Sequence, residues 1–540
     1  VNHSVREGGR HLMANQFEGD ACTVSQVFKH AVLNTPEKEA IYDGEKRLTY
    51  GEIDAEADLL ASGLIWSGIE KEDRVAVCLP NWNEFMIIFM ALSKIGAILI
   101  PLNIDYRKNE IIYILENSGA KAVFFTNAIG KVDQLSQLME AQKNIPTLKQ
   151  LISVRFQQDS INNYDQLIQL GRSSQAVVKT EVGKDDICVI LYTSGTTGNP
   201  KGVMLANGNM VSISRTAANK MECSPEDVFL IPVPLFHIMG LMLMLRSITC
   251  RGRLVLMERF KAEKALEFIQ HEKVTVHPGV PTMFILELNH PKFPSYDLSS
   301  LRTGEMAAAP CPIEILRRIK IEMKCNILVA YGMTETSASL TMTNFEDDDL
   351  LRAETVGRAM PGAEVKIVNE NREEVPPGTV GELACKSPGL MKGYFRMEEE
   401  TRKSKDEHGW FYTGDLATMD DAGYIRIVGR KKELIIRGGY NIYPREVEEV
   451  YYQHPNVMEA AIIGLPDTVL GEITCAVIRL RPGKRASEEE MRSFAEEKLV
   501  SYKVPNKFVF LDELPMTSSG KILKRELIRK IKSELKEELR

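Results

Sequence analysis

This chain has no run of apolar residues long enough to cross a membrane as a helix. Its most apolar stretch, residues 85–102, is broken by Lys94, Gly96 and Pro101. Phe85, Ile88, Phe89 and Leu92 fall on one helical face, and 97–100 is a short β-like run. A buried helix followed by a strand is expected there, not a span. Residues 1–11 are polar and charged, without the apolar centre of a secretory signal, and Met13 is a candidate native start. An excess of positive charge is missing too. Sixty-seven basic residues face 74 acidic ones, which removes the electrostatic case for nucleic acid or an anionic membrane as the main partner. Paired cysteines are absent. The nine cysteines are odd in number, scattered, and form no CxxC, so they read as reduced thiols of a cytoplasmic protein, with no metal site. There is no internal repeat and no low-complexity tract.

What is present is α/β texture over 540 residues, a length that allows about three or four domain-sized units and a large core. A strand at 73–79, a helix, a strand at 97–101, a helix near 108–117 and a strand at 122–125 alternate as βαβ units around a mostly parallel sheet. A second α/β run covers 225–330, with strands at 228–233, 253–257 and 274–276 and a helix at 262–271. Between 340 and 430, short β runs separated by Pro and Gly point to a smaller β subdomain. After Gly429 the texture becomes a compact α+β unit, with a capping box expected where Ser487 precedes Glu490. The tail, 521–540, reads as a charged helix with solvated faces.

The densest chemistry is YTSGTTGNPKG at 192–202. Glycines let backbone N–H groups approach phosphate oxygens. Thr193, Ser194, Thr196 and Thr197 add hydroxyl donors beside Gly195 and Gly198, and Lys201 adds a point positive charge. The usual nucleotide P-loop continues from its lysine into Ser/Thr and a helix. Here Pro200 precedes the lysine, Gly202 follows it, and 203–205 looks like a strand, so a phosphate-cradling loop between two strands is expected.

This loop resembles the signature of the adenylate-forming superfamily: acyl-CoA synthetases, aryl-CoA ligases, luciferases and the adenylation domains of peptide synthetases. YGMTET (331–336), GWFYTGD (409–415), GYIRIVGRKKELIIRGGYNIYPREVEE (423–449) and PMTSSGKILKREL (515–527) follow in the family's order. The resemblance implies an α/β N-terminal domain, 1–430, and a small mobile α+β C-terminal domain, 433–540, with a hinge at Lys432. It implies ATP, Mg²⁺ and CoA as cofactors and co-substrates. Glu335 matches the magnesium-linked glutamate. In the nucleotide site, Tyr331 would lie against adenine beside Gly332 and Met333, and Thr334 would bond the α-phosphate. Asp415 would accept the ribose hydroxyls and Arg430 would reach the ribose or phosphates. Lys521 would bridge the attacking carboxylate and the α-phosphate during adenylation. The C-terminal domain would then swing, and Gly438 and Gly439 would line the path of a pantetheine thiol.

The implied chemistry is two-step. A carboxylate attacks the α-phosphate of ATP, pyrophosphate leaves, and a thiol then displaces AMP from the acyl-adenylate. PLFHIMGLMLML, at 234–245, would carry part of the acid pocket, with His237 as its gate or wall. No carboxylate stands at 235–237, where amino-acid-activating relatives place an Asp, so a fatty or aryl acid is expected. A Met-rich stripe at helical spacing is more often core than pocket. Two positions depart from the family pattern: Ala330 stands where glycine is common, and 303–310 carries an extra-looking Glu305-Met306. The expected activity is an AMP-forming acyl-CoA synthetase taking a small-molecule carboxylic acid, with a homodimer open to it. The rival is a stand-alone enzyme that loads a carrier protein's phosphopantetheine; the absence of a carrier domain after Arg540 weighs against it.

Overall fold

The computed structural model describes residues 21–127, 132–174, 180–193, 200–309, 312–516 and 522–538. The βαβ alternation read near the N-terminus builds an eight-stranded sheet. Its order is Gly393–Tyr394, Lys201–Ala206, Ile187–Thr193, Ile98–Pro101, Arg74–Cys78, Ala122–Phe125, Gln150–Ser153 and Asn162–Asn163. The strands from Ile187–Thr193 to Asn162–Asn163 pair in parallel; the two edge pairings involving Lys201–Ala206 are antiparallel. Helix Asn83–Ile95 is buried along almost its whole length and ends at Gly96, whose φ of 72° suits a left-handed cap. This is the helix-then-strand expected of the most apolar stretch.

The second α/β run forms a sheet of Val228–Ile231, Arg253–Leu256, Glu39–Tyr42 and Arg47–Thr49. The strand expected at 274–276 is not one. Val276 makes single parallel bridges to Phe229 and Thr303, which join this sheet to Thr303–Met306 and Asn326–Tyr331. Pro278, two residues on, has no N–H to continue a ladder, and His277 and Gly279 donate singly to the Thr303 and Glu305 carbonyls. Residues 364–430 form an antiparallel sheet of Glu364–Val368, Gly381–Lys386, Phe411–Met419 and Ile425–Arg430, the β subdomain that the Pro/Gly spacing indicated.

The C-terminal unit has its own sheet: Tyr440–Ile442, Ile435–Arg437, Gly471–Leu480 and Val457–Asp467, with Lys507–Phe510 added in parallel to Gly471–Leu480. Alternate residues of Val457–Asp467 face opposite sides. Ala460 and Ile462 pack with Val447, Tyr451 and Met491; Ala461, Ile463 and Leu465 pack with Leu514, Leu527 and Ile531. Ser487 caps helix Glu488–Glu496 in the expected box with Glu490. The tail corrects the sequence reading. Helix Lys524–Glu538 is not solvated all round, because Leu527 and Ile531, one helical turn apart, are fully buried. Leu527, Ile528, Ile531 and Leu535 recur at helical spacing, a stripe that the surrounding alternating charge hid from the sequence reading.

Candidate active site

The glycine- and hydroxyl-rich loop leaves one strand of a hairpin and enters the other. Strands Ile187–Thr193 and Lys201–Ala206 pair with Thr193 opposite Lys201. Ser194, Gly195, Thr196, Thr197 and Gly198 lie outside the described residues. Both loop ends are tied to helix Lys108–Ser118: the Tyr192 hydroxyl donates to Asn117 at 2.6 Å, and the Tyr113 hydroxyl to the Pro200 carbonyl at 3.1 Å. Gly202 is forced by packing, since a Cβ there would lie 2.9 Å from Ile190 and 3.0 Å from the Tyr192 ring.

Lys201 forms an ion pair with Glu400 and sits 4.9 Å from the Tyr394 ring centroid. Tyr394 arrives there because Gly393–Tyr394 pairs with the strand that follows the loop. Its hydroxyl donates to Glu335 at 2.8 Å. One tyrosine therefore touches both the loop lysine and the expected magnesium-linked carboxylate. Lys201 holds the Glu400 carboxyl down at about 2, with help from Lys403. Glu335 behaves oppositely. Burial pushes its pKa up, against the Tyr394 hydrogen bond and the Arg430 charge that pull it down.

Glu335 sits in a single 3-10 turn, Thr334–Thr336, beyond strand Asn326–Tyr331. Thr334 is buried and Met333 is half-buried. Gly332 has no alternative: its Cβ would lie 1.6 Å from the Ala338 carbonyl oxygen. Gly332→Ala is expected to displace the Glu335 turn and lower activity about a hundredfold, the scale of an ångström-level misplacement near reacting groups. Steady-state kinetics of the folded variant checks this.

Asp415 and Arg430 face each other across antiparallel strands, with Arg430 Nε 3.4 Å from Asp415 Oδ1. The Tyr331 hydroxyl donates to the other carboxylate oxygen at 2.6 Å. Burial first, and then the Asp415 charge, push the Tyr331 phenol above its ordinary range, so it stays a donor at neutral pH. Tyr331, Asp415 and Arg430 thus form one cluster, adjoining the Lys201–Tyr394–Glu335 group through the field of Arg430 at Glu335.

The remaining candidates lie elsewhere. His237 caps helix Ile238–Cys250, its Nδ1 accepting from the Met239 N–H at 3.3 Å. Every residue of that helix is buried, so its methionines are core. The helix also explains the unusual Glu305, which makes a buried ion pair with Arg246. Gly438 and Gly439 have φ of +57° and +86° and turn the hairpin between Ile435–Arg437 and Tyr440–Ile442, as a two-residue loop of the I′ kind requires. Lys432 is exposed in the 3-10 turn Lys431–Glu433. Lys521 lies outside the described residues. Tyr394, Glu400 and the hydroxyl role of Tyr331 were missed from sequence, because each contact joins residues far apart in the chain.

Residues 28–395 match the AMP-binding enzyme family model and residues 446–521 the AMP-binding enzyme C-terminal domain. YngI of Bacillus subtilis is 38% identical over 532 residues, covering 94% of this chain and 97% of its own length. The medium-chain fatty-acid–CoA ligase of Escherichia coli is 34% identical over 536 residues, covering 96% of this chain and 93% of its own. Among solved structures, ATP-bound MatB from Rhodopseudomonas palustris superposes with a TM-score of 0.84 at 28% identity, covering 94% of this chain and 99% of that one. The chain belongs to the AMP-binding enzyme family, in the acyl-CoA synthetase branch of the adenylate-forming enzymes.

Proposed function

We propose that this AMP-forming acid–thiol ligase activates a medium- or long-chain fatty acid and passes it to CoA. The observation that carries the reading is the Lys201–Tyr394–Glu335 group, which sets a cation and a buried carboxylate on one tyrosine at the mouth of the phosphate-type loop. CoA, rather than a carrier protein, is supported by full-length relatives named as acyl-CoA ligases. Cys78, Cys188, Cys223, Cys250, Cys325, Cys385 and Cys475 are buried free thiols, which supports a reducing, cytoplasmic setting. Among the described residues no helix is long and apolar enough to cross a membrane.

In this reading the backbone and hydroxyls of 193–198 and Lys201 cradle the phosphates, and Thr334 bonds the α-phosphate. Asp415 exchanges its Tyr331 and Arg430 partners for the ribose diol. Tyr331, Gly332 and Met333 border the adenine. Magnesium fits the donor set: one buried carboxylate, Glu335, suits an ion that takes one or two carboxylates and completes its shell with phosphates and water. Bound there, it would neutralise charge on the departing pyrophosphate. The acid's oxygen attacks the α-phosphorus while Lys521 offsets the growing negative charge, and the bond to the pyrophosphate oxygen breaks. Domains 1–430 and 433–540 then re-orient about Lys432, and Gly438 and Gly439 border the thiol's path. The thiolate attacks the acyl carbon and AMP leaves. His237 borders the acid at the head of its buried helix.

Pyrophosphate release across a panel of carboxylic acids tests this, with CoA and a phosphopantetheinyl carrier protein as rival acceptors. Fatty acids with CoA should give the largest kcat/KM; activity only with the carrier would overturn the acceptor. Glu400 is a second handle. Its carboxylate competes with ATP for Lys201, so Glu400→Gln should lower KM for ATP about fivefold, the size of one partly exposed ion pair. An unchanged or raised KM would show that Glu400 does not compete.

A further inference from the structure

Anchorage changes sides within four residues of the inter-domain segment. Arg430 is tied to Asp415, and Lys431 to Glu382 at 3.0 Å, both partners on the β subdomain. Glu433 is tied the other way, to Lys524 Nζ at 3.0 Å on the C-terminal helix. Lys432 stands between, exposed. Lys524 is not a surface lysine: its side chain is one-fifth exposed, and Nζ also reaches Glu448 Oε1 on helix Pro444–Tyr452 at 2.7 Å. That same Glu448 oxygen accepts the Ile462 N–H at 2.8 Å, so the clasp is fixed to Val457–Asp467, an edge strand of the C-terminal sheet. Burial pushes the Lys524 ammonium down, but Glu448 and Glu433 outweigh it and leave its pKa above the ordinary lysine value. Ahead of Lys524, Ile522 bridges Met516 and the Leu523 N–H donates to the Pro515 carbonyl at 2.7 Å.

We infer that Lys524 is a positioning residue for adenylation: its ion pairs to Glu433 and Glu448 clamp the chain three residues beyond Lys521 to the first residue past the hinge. The clamp ties the start of helix Lys524–Glu538 to the residue after Lys432, so the two turn together. A lysine suits this role because one ammonium serves two carboxylates on different elements. The inference rests on the reading of Lys521 and Lys432 given above, and it predicts an asymmetric defect, since Lys524 is paired with Glu433 and Glu448 and not with the Glu335, Glu400 or Asp415 carboxylates.

The test compares Lys524→Met, Lys524→Arg and Lys521→Ala in both half-reactions of the full chain. With Lys524→Met, acid-dependent ATP–pyrophosphate exchange should fall at least about tenfold in kcat, as loose positioning of a charged group does. KM for ATP should stay within about twofold, and thioester formation from preformed acyl-adenylate within about threefold, because the nucleotide contacts are untouched. Lys524→Arg, which keeps the charge, should recover most of the exchange. If Lys524→Met does not fold, Glu433→Gln removes one tie, leaves Lys524 paired to Glu448, and should show the same asymmetry at smaller size. Undiminished exchange, or equal loss in both half-reactions, overturns the inference. Lys521→Ala keeps the two failures apart: if it retains exchange, the adenylation reading itself is wrong; if it loses exchange while Lys524→Met does not, only the clamp is wrong.

Discussion

Lys521→Ala should lower acid-dependent ATP–pyrophosphate exchange about a thousandfold while leaving thioester formation from preformed acyl-adenylate within about threefold of the parent. The size follows from what is removed. Negative charge grows on the α-phosphate as the carboxylate attacks, and a preorganised donor in a site shielded from water is worth about 3–4 kcal/mol in that transition state. The asymmetry follows from connectivity. Lys521 falls within the residues that match the family's C-terminal domain, whereas Lys201, Glu335 and Asp415 stand in sheets and turns N-terminal to Lys432. A group carried on a separate unit can serve one step and be withdrawn for the next. Exchange with radiolabelled pyrophosphate and a thioester assay on synthetic acyl-adenylate read the two steps independently. Equal loss in both would mean that Lys521 acts in a single closed arrangement, and the re-orientation about Lys432 would have to be abandoned.

What could be read from the chain follows how local each signal is. The hairpin around the phosphate-type loop was legible because two short continuous apolar runs, 187–191 and 203–205, flank a glycine-rich stretch, and strands Ile187–Thr193 and Lys201–Ala206 form it. The Ser487 cap was legible because its partner, Glu490, stands only three residues on. Interruption of the run at 274–276 was not, because the effect of Pro278 depends on which strands lie alongside. Docking of the tail helix through Leu527 and Ile531 was written in the spacing of Leu527, Ile528, Ile531 and Leu535, but the weight of charge around them pointed to a solvated helix. At the site, the motifs marked Glu335, Tyr331, Asp415 and Arg430 but not their mutual arrangement. Tyr394 and Glu400 carried no signal of their own: a tyrosine after a glycine and a glutamate in an acidic run look like surface. They reach Glu335 and Lys201 only through the pairing of Gly393–Tyr394 with Lys201–Ala206. The buried Arg246–Glu305 pair accounts for the extra acidic residue that departs from the family pattern.

Glu335→Gln separates function from stability most sharply. The side chain is 7% exposed and its oxygen accepts from Tyr394, a bond that a glutamine oxygen can keep. The charge is what is lost, and with it the carboxylate that the proposed function assigns to magnesium. Exchange activity should fall about a hundredfold to a thousandfold, and magnesium should no longer saturate at the parent's concentration. Stability should move the other way. Burial raises the Glu335 pKa above its ordinary 4.5, so the folded state holds a proton that the unfolded chain has released. The parent therefore loses stability as pH climbs from about 4.5 through the folded pKa, and that loss persists at neutral pH. Glutamine has no proton to lose. Relative to the parent, Glu335→Gln should gain thermal stability across that window and be at least as stable at pH 7. In the parent, kcat/KM for ATP should show an acid limb displaced above the usual carboxylate range, since only ionised Glu335 ligates the metal; the variant's residual activity should lack it. Thermal midpoints and exchange rates measured from pH 4 to 8 check both halves. A variant that loses activity and stability together would make Glu335 a packing residue and remove the metal from this position.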